Sequence, residues 1–425
     1  TQKKGMPMSK FLIALILTLA STVSWTVGDS RIVERAKALQ NEILTLDAHV
    51  DIEIPGEPSS YVGADGLSKV SPEKMRKGGL NAVVMSIAVG PKPRTKEGYA
   101  EARRIADREL DAVKLLAAES PNEAILVTTT QQLVDAHQSA QIALLLGLQN
   151  ALILGTDVDT INRLYGAGVR VFALTHMGHN DFADSSRPLF DAEAGRREPD
   201  AEHGGLSPLG KAAIRRINAL GGIIDISQLS KQAALQAINL SAAPVIASHS
   251  NARALTDVSR NLSDEEIDLI SDRGGVVHIA PFAGYLFDSS DSKLDAAIRA
   301  IRRDAGVDED YLYPFELYWE IEDPEIKAKF LGGIRSLLGP INLDTMLDHL
   351  DYVANRVGVE HVGIGTDFNH GSGIEGFQDA SDSLNVTEGL IRRGYSDAEI
   401  EKIWGGNFLR VWSQAEQMGL EYNAK

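Results

Sequence analysis

Five polar side chains stand where apolar runs of the sequence end, and they are of the types that bind metals or move protons. The first run closes on His49-Val50-Asp51, and later runs are followed by His176, His249 and Asp367. Residues two apart on a strand point to the same face, so the His49 imidazole and the Asp51 carboxylate can bind one cation. Asp367 suits a general base or a partner for a substrate ammonium group. The pattern indicates a metal-dependent hydrolase.

Gln149 and Gln228 follow two further apolar runs at equivalent points. Any one buried histidine or amide is more often a hydrogen-bonded core residue than part of a site. Buried imidazoles and carboxylates are costly, however, unless they bind one another or a metal. Because all these polar residues share the same position at the ends of runs, a common site is favoured over scattered core residues.

The apolar runs that precede these residues are typical of strands buried on both faces. We predict eight strands, at residues 43–49, 82–88, 142–148, 169–175, 222–226, 244–248, 275–281 and 362–366. Helical patterns lie between them, for example at 99–118, 208–220 and 263–273, after a lead-in helix at 31–42. Strands that alternate with helices pair in parallel through right-handed crossovers, and eight such units predict an α/β fold of the (β/α)8 TIM-like barrel type. An open, doubly wound sheet is the alternative, because periodicity does not show closure.

In a barrel, the carboxyl ends of all the strands meet on one face, where active sites form. Two insertions, near 181–207 and 288–348, would lie over this face as loops. The first is polar and contains Arg187, and the second contains an aromatic cluster within residues 311–319. No internal repeat or low-complexity linker divides residues 29–425, which we predict to form a single catalytic domain.

The composition excludes several classes of partner and chemistry. The 425-residue chain has 42 Lys and Arg against 59 Asp and Glu, a net charge of −17. This charge would repel the phosphates of nucleic acids and of anionic membranes, so we expect neither as a partner. Cysteine is absent, which excludes disulfides, thiolate nucleophiles and cysteine-bound zinc. The assembly state, including a homodimer, is left open.

The N-terminus has the pattern of a secretory signal peptide. Lys3, Lys4 and Lys10 precede the apolar residues 11–20, and small or polar residues follow at 21–24. The apolar run is shorter than the roughly 20 residues of a membrane span, and an uncleaved N-terminal anchor is the alternative. We expect residues 1–28 to comprise a tag remnant and the signal, and the mature chain to be periplasmic or secreted, with no membrane partner after cleavage.

Together these motifs resemble those of the membrane (renal-type) dipeptidases, peptidase family M19. The shared segments are LDAHVD at 46–51, FALTH at 172–176, GIIDIS at 222–227, SHS at 248–250, RN at 260–261, GIGTD at 363–367 and GGNFLR at 405–410. They run in order over almost all of the chain after the signal, and such a set is far more specific than any one short motif. The resemblance implies an amidohydrolase-like, metal-dependent barrel that hydrolyses short peptides.

The resemblance also implies roles for individual residues. Family members hold two zinc ions through a His-x-Asp pair, two later histidines and a bridging glutamate. By this resemblance His49 and Asp51 bind the first metal, and His249 binds one side of the second. The substrate-contacting positions of the family correspond to His176 for the transition state, Arg260 for the substrate carboxylate and Asp367 for the substrate amine.

Two expected zinc ligands are replaced by glutamine. Gln149 stands where the family has its bridging glutamate, and Gln228 where it has a histidine of the second metal. A neutral amide oxygen is a poor zinc ligand, and the lost carboxylate leaves more repulsion between two cations. The site then holds one metal, holds two more weakly with Gln149 and Gln228 as ligands, or is empty. We expect one firmly bound zinc ion.

The function that follows is a metal-dependent dipeptidase, in which a metal-activated water attacks the amide carbon of a short peptide. His176 would stabilise the oxyanion, and Asp367 would transfer the proton or bind the amine. One alternative is a dipeptidase-like periplasmic protein with a non-peptidase role, such as the maturation of peptide siderophores. The other is a metal-free binding module that keeps Arg260 as a clamp.

Overall fold

The computed structural model describes residues 30–59, 61–119, 123–191, 196–306, 321, 323–339 and 341–424. The predicted signal segment, residues 1–28, lies outside the described residues, and so does the aromatic cluster within residues 311–319. Among the helices of the described part, none is long and apolar enough to cross a membrane.

Eight parallel strands form a nearly closed barrel. In chain order the strands are β1 (Leu46–Asp51), β2 (Ala82–Ala88), β3 (Ala124–Leu126), β4 (Ile142–Gln149), β5 (Val169–Ala173), β6 (Phe190–Asp191), β7 (Arg196–Arg197), β8 (Ile223–Asp225), β9 (Ile246–Ala247), β10 (Val276–Ile279) and β11 (Val362–Ile364). The barrel order is β1-β2-β4-β5-β8-β9-β10-β11, and β3 pairs with β4. A parallel bridge between Val50 and Phe368 brings the end of the last strand back to β1. The predicted (β/α)8 barrel is confirmed, and the open-sheet alternative is wrong.

Helices separate the strands along the chain. They are α1 (30–42), α2 (Pro72–Gly78), α3 (Lys96–Ala118), α4 (Thr130–Gln138), α5 (Thr160–Gly166), α6 (Pro208–Leu220), α7 (Lys231–Leu240), α8 (Asp264–Asp272), α9 (Ser292–Asp304), α10 (Pro324–Leu338), α11 (Leu343–Val357), α12 (Ser383–Arg392), α13 (Asp397–Glu401) and α14 (Asn407–Asn423). The ends of α6 show why they form where they do. Ser207 caps it by accepting from the Gly210 amide, and the chain leaves it at Gly221 with φ +82°.

The strands are buried on both faces, as their uninterrupted apolar sequences predict. Every residue of β4 and β5 is buried. The C-terminal helix α14 adds the buried rings of Phe408 and Trp412 to a cluster with Leu46 and Ile223. Truncating a buried aromatic side chain of this kind to alanine costs about 3–5 kcal/mol. The cluster therefore fixes the strands whose carboxyl ends carry the polar residues.

All eight predicted barrel strands are present, and several are shorter than predicted. β9 has two residues, because the Ser248 amide donates to the Asp225 carboxylate and the His249 amide to the Ser227 hydroxyl. Strand β3 was not predicted, because a run of three residues is too short to show a clear hydrophobic periodicity. The predicted helices correspond to α1, α3, α6 and α8.

The two predicted insertions contain elements of their own. The insertion near 181–207 carries the short antiparallel pair β6 and β7, and isolated bridges join Ala183 to Leu206 and Ser185 to Leu229. The insertion near 288–348 carries α9 and α10, and Phe330 of α10 packs with Tyr285 in a separate apolar cluster. The first insertion is thereby tied to the segment that follows β8.

Close packing at Gly365 gives a test of the barrel geometry. A Cβ atom there would lie 1.7 Å from the Ser248 backbone oxygen, so we expect Gly365→Ala to lower the free energy of unfolding by about 1–3 kcal/mol. Gly166 at the end of α5 has open space around its Cβ position, and Gly166→Ala should change stability by less than about 1 kcal/mol. Urea unfolding of both variants measures the difference, and equal stabilities would contradict this packing.

Candidate metal site at the barrel mouth

The first strand presents two polar atoms that have no hydrogen bonds to the described part of the chain. His49 is 1% exposed, and its Nδ1 lies 3.0 Å from the Ser86 hydroxyl. Its Nε2 and the Asp51 Oδ1 are buried without a hydrogen-bond partner among the described residues, and they lie 3.5 Å apart. Asp367 Oδ1 lies 3.8 Å from the same Nε2. Buried polar atoms that converge in this way are what a cation satisfies.

His249 stands beside this pair but has different partners. Its ring stacks on that of His49 with centroids 3.8 Å apart, and its Nδ1 lies 2.7 Å from the Ser248 hydroxyl. Its Nε2 faces the side-chain nitrogens of Gln149 at 3.3 Å and of Gln228 at 3.1 Å. Ligand atoms of His49, His249 and Asp367 lie within 4.8 Å of one another. The three can share one cation, but the His249 lone pair is directed at amide donors.

Gln228 is held in place from both sides. Its Oε1 accepts from the Arg187 guanidinium, which leaves the amide nitrogen to face His249. Its backbone has φ +69°, and Asp367 has φ +58°. Left-handed backbone at residues other than glycine costs about 1–3 kcal/mol and is concentrated at functional sites. The segments that follow two barrel strands therefore carry strained backbone at residues whose polar side chains belong to the candidate site.

A histidine that sequence reasoning missed lies against Asp51. His370 Nδ1 is 2.7 Å from Asp51 Oδ2, and the Tyr61 ring stacks on His370 at 5.8 Å between centroids. Burial acts to lower the pKa of His370, but the charges of Asp51 and Asp367 outweigh it and raise the pKa to about 9. Burial acts to raise the pKa of Asp51, yet His370 and His49 hold it below the ordinary value. A histidine three residues after Asp367 was the available signal.

His176 and Asp367 have opposite shifts in proton affinity. Burial is the main cause that holds the pKa of His176 well below its ordinary value, and neither ring nitrogen has a hydrogen-bond partner in the described part of the chain. Burial and the nearby Asp51 charge raise the pKa of Asp367, against the charges of His370 and His49. The site thus holds a neutral imidazole and a carboxylate with increased proton affinity, a pairing suited to acid–base chemistry.

Arg260 is a buried guanidinium that contacts the segment of His249 and Ser250. It is 2% exposed, and it donates to the Ser250 hydroxyl at 3.1 Å and to the His249 carbonyl at 2.8 Å. It also lies over the Tyr285 ring at 5.2 Å from the centroid, and its Nε has no hydrogen-bond partner among the residues described. The sequence prediction of a carboxylate clamp is compatible with this geometry, since a guanidinium has five N–H donors.

The eight residues predicted for the site all lie at the carboxyl ends of barrel strands or in the segments that follow those ends. His49, Asp51, His249, Gln149, Gln228 and Asp367 are joined by the contacts described above. His176 joins them through His370, whose ring it meets edge-on at 5.2 Å between centroids. Arg260 reaches the cluster through the backbone of His249.

The Asp51–His370 contact predicts an effect on metal affinity. Hydrogen bonds that orient metal ligands are typically worth 10- to 100-fold in affinity. We expect His370→Ala to weaken Zn²⁺ binding by about that factor without abolishing it, as measured by competition with a chromogenic chelator. His137→Ala removes a half-buried imidazole that contacts the Glu42 carbonyl on helix α1, and it should leave the affinity unchanged. Equal affinities of the two variants would show that other contacts orient Asp51.

Comparison with known proteins identifies a protein family and several proteins that are similar to this chain. The family model described as "Membrane dipeptidase (Peptidase family M19)" matches residues 33–425. The "Dipeptidase aclJ" of Aspergillus oryzae is 28% identical over 353 residues, which cover 81% of this chain and 69% of that protein.

Two solved structures are similar over nearly their whole length. The probable dipeptidase PvdM from Pseudomonas aeruginosa is 34% identical, with a TM-score of 0.80, over 92% of this chain and 99% of that chain. A metallo peptidase from Rhodobacter sphaeroides, liganded with a phosphinate mimic of L-Ala-D-Ala, is 19% identical, with a TM-score of 0.67, over 88% and 99%. The second similarity concerns the fold alone.

Proposed function

The chain belongs to the membrane dipeptidase family, peptidase family M19, and from this membership we propose that it hydrolyses dipeptides with a single bound cation. Metal-dependent dipeptide hydrolysis is the activity of the family. It is therefore favoured over the alternatives of a non-peptidase role and of a metal-free binding module. The observation that carries the proposal is the pair of unsatisfied buried atoms, His49 Nε2 and Asp51 Oδ1, 3.5 Å apart at the barrel mouth.

The donor set fits one cation. His49 and Asp51 would hold it, and Asp367 or His249 would complete the coordination, since ligand atoms of these last two lie within 4.8 Å of those of His49. Imidazole and carboxylate ligands suit Zn²⁺, which we propose as the resident ion. When bound, Zn²⁺ supplies Lewis acidity and makes water nucleophilic at neutral pH.

The residues around His249 do not fit a second cation. Its Nε2 faces two amide nitrogens, and neither Gln149 nor Gln228 brings a negative charge. A second divalent ion there would need both amides to rotate, and it would still lack a bridging carboxylate. We therefore propose one metal per chain.

The other polar residues would act on the substrate directly. His176 is neutral and buried, so we propose that it donates a hydrogen bond to the substrate oxygen that becomes negative in the transition state. Where His249 completes the coordination, Asp367 is left to accept a proton and pass it to the leaving amine, and the raised pKa of Asp367 supports that role. We propose that Arg260 binds the terminal carboxylate of the substrate.

A substrate screen with metal removal tests this proposal. The purified chain is assayed with a panel of L,L- and L,D-dipeptides, before and after treatment with a chelator and after addition of Zn²⁺. We expect cleavage that is lost on chelation and restored by the metal. Cleavage that survives complete removal of metal would overturn the proposed mechanism. Absence of cleavage across the panel in the zinc-loaded chain would overturn the proposed activity.

We also propose that the chain is exported. The support is the sequence pattern of Lys3, Lys4 and Lys10 before an apolar run and a short polar exit. N-terminal sequencing of the chain expressed in a Gram-negative host tests it. A mature start near residue 29 in the periplasmic fraction is expected, and an intact N-terminus in the cytoplasm would contradict it.

A further inference from the structure

The place of the missing second cation is filled by a directed chain of hydrogen bonds. The Arg187 guanidinium donates to Gln228 Oε1, and the Gln228 amide nitrogen faces His249 Nε2 at 3.1 Å. The opposite nitrogen of His249, Nδ1, lies 2.7 Å from the Ser248 hydroxyl, which in turn donates to the buried Asp225 carboxylate. The chain of bonds thus begins at a cation and ends at an anion. Bonds aligned in this way polarise and strengthen one another.

Arg187 is positioned by the backbone on both sides of it. It is 4% exposed, and its amide donates to the Ser185 hydroxyl at 3.1 Å while its carbonyl accepts from the Gly178 amide at 2.8 Å. The neighbouring Ser186 amide donates to the Gln228 carbonyl at 2.8 Å. The first insertion is therefore tied to the Gln228 segment by main chain and by side chain, and the Arg187–Gln228 contact is built into the fold.

The charge of Arg187 lies close to His249. The Arg187 guanidinium contacts Gln228 Oε1, and the nitrogen of the same amide group faces His249 Nε2 at 3.1 Å. A single amide group therefore separates the guanidinium from the imidazole. Arg187 thus places a positive charge beside the His249 nitrogen that a cation would use.

We propose that Arg187 takes the place of the second cation, and that its guanidinium, held through Gln228, keeps a second divalent ion out of the site. This inference rests on the proposed one-metal function, and it adds a physical cause for the absence of a second ion. Two missing ligands would make a second site weak, whereas a fixed cation beside His249 makes it repulsive. The two causes predict different numbers of bound ions when a glutamate and a histidine are restored at positions 149 and 228.

Counting metals in ligand-restored variants tests the proposal. The wild-type chain should bind one Zn²⁺. Gln149→Glu/Gln228→His should still bind one, because the main-chain contacts of residues 185–187 keep the Arg187 charge at the site, where it repels the second ion. Adding Arg187→Met to that double variant should raise the count to two. We expect the second-site affinity to increase by about 100-fold or more. Elemental analysis and zinc titration of the folded proteins provide the readout.

Two matched controls separate charge from loop structure. Arg187→Lys in the double variant keeps the positive charge and should hold the count at one. Arg197→Met in the double variant removes another arginine of the same insertion, one that donates to the Pro188 carbonyl, and should also leave one.

The possible outcomes distinguish a failure of the inference about Arg187 from a failure of the proposed function. Two ions in the double variant with Arg187 intact would overturn the inference and leave the one-metal wild type standing. A single ion in the folded triple variant with Arg187→Met would also overturn it. A wild-type chain without metal would contradict the proposed function and this inference together. Circular dichroism establishes that each variant is folded before its metal is counted.

Discussion

Asp51→Asn should abolish both the bound metal and the hydrolysis of dipeptides. Asp51 Oδ1 is buried without a hydrogen-bond partner in the described structure and lies 3.5 Å from His49 Nε2, so its charge is available to a cation. An amide oxygen in its place brings no charge and is a poor zinc ligand. Because a catalytic metal stabilises the transition state by several kcal/mol, we expect kcat/KM to fall by about a thousandfold or more.

The loss of activity in Asp51→Asn is informative only beside a count of metal. Zinc content per chain and kcat/KM are measured on the same preparation. Asp397→Asn serves as the control, since this aspartate is exposed and pairs with Arg35 far along the chain. It should keep both properties. An Asp51→Asn chain that lacks metal and keeps its activity would remove the metal from the mechanism.

Arg260→Met should lower kcat/KM by about 100-fold for dipeptides with a free carboxylate. Charge-assisted, bidentate hydrogen bonds from an arginine to a carboxylate are among the strong ones, and losing such a pair costs on the order of 3 kcal/mol. A dipeptide amide lacks the carboxylate charge. The kcat/KM for the dipeptide amide should therefore fall much less in the same variant. The ratio of the kcat/KM values for the two substrates then isolates the contribution of the contact between Arg260 and the substrate carboxylate.

The contacts of Arg260 with the His249 carbonyl and the Ser250 hydroxyl supply the competing explanation. If Arg260 only supports that backbone, Arg260→Met should reduce the cleavage of both substrates equally. Arg253→Met is the matched control from the same segment, since Arg253 pairs with Asp257 at the surface. It should leave both substrates unaffected.

The barrel could be predicted because its signal is local and repeated. Eight apolar runs, each long enough to form a buried strand, alternate with amphipathic helical patterns. This alternation is compatible with few chain topologies. The lengths of the strands could not be predicted in the same way. β9 ends early because Ser248 and His249 give their backbone amides to side chains of the neighbouring strand segment, more than 20 residues away in sequence.

The sequence predicts most residues of the candidate site, but neither His370 nor the contacts between the residues. His49, Asp51, His249 and Asp367 were found because parallel strands bring their carboxyl ends together. The contact of His370 with Asp51 joins residues 319 apart, and nothing in the local sequence assigns it. It depends on the closure of the barrel between its first and last strands.

The two glutamines illustrate the same limit. Sequence comparison of residue types predicts the loss of two ligands, and a loss by itself suggests a weakened site. In the folded chain Gln228 links Arg187 to His249, so that the replaced ligand has a partner of its own. Arg187 stands 41 residues before Gln228 in an insertion, and the two segments meet through the bridge between Ser185 and Leu229 and the bond from the Ser186 amide to the Gln228 carbonyl.

The most direct test of a one-metal dipeptidase is the metal content of the purified wild-type chain. The metal content is measured by elemental mass spectrometry and is compared with the rate of dipeptide hydrolysis by the same preparation. One divalent ion per chain is expected, with activity rising in proportion to occupancy up to one equivalent of Zn²⁺ and no further. Two tightly bound ions per active chain, or dipeptide hydrolysis by a chain with no metal, would contradict this account.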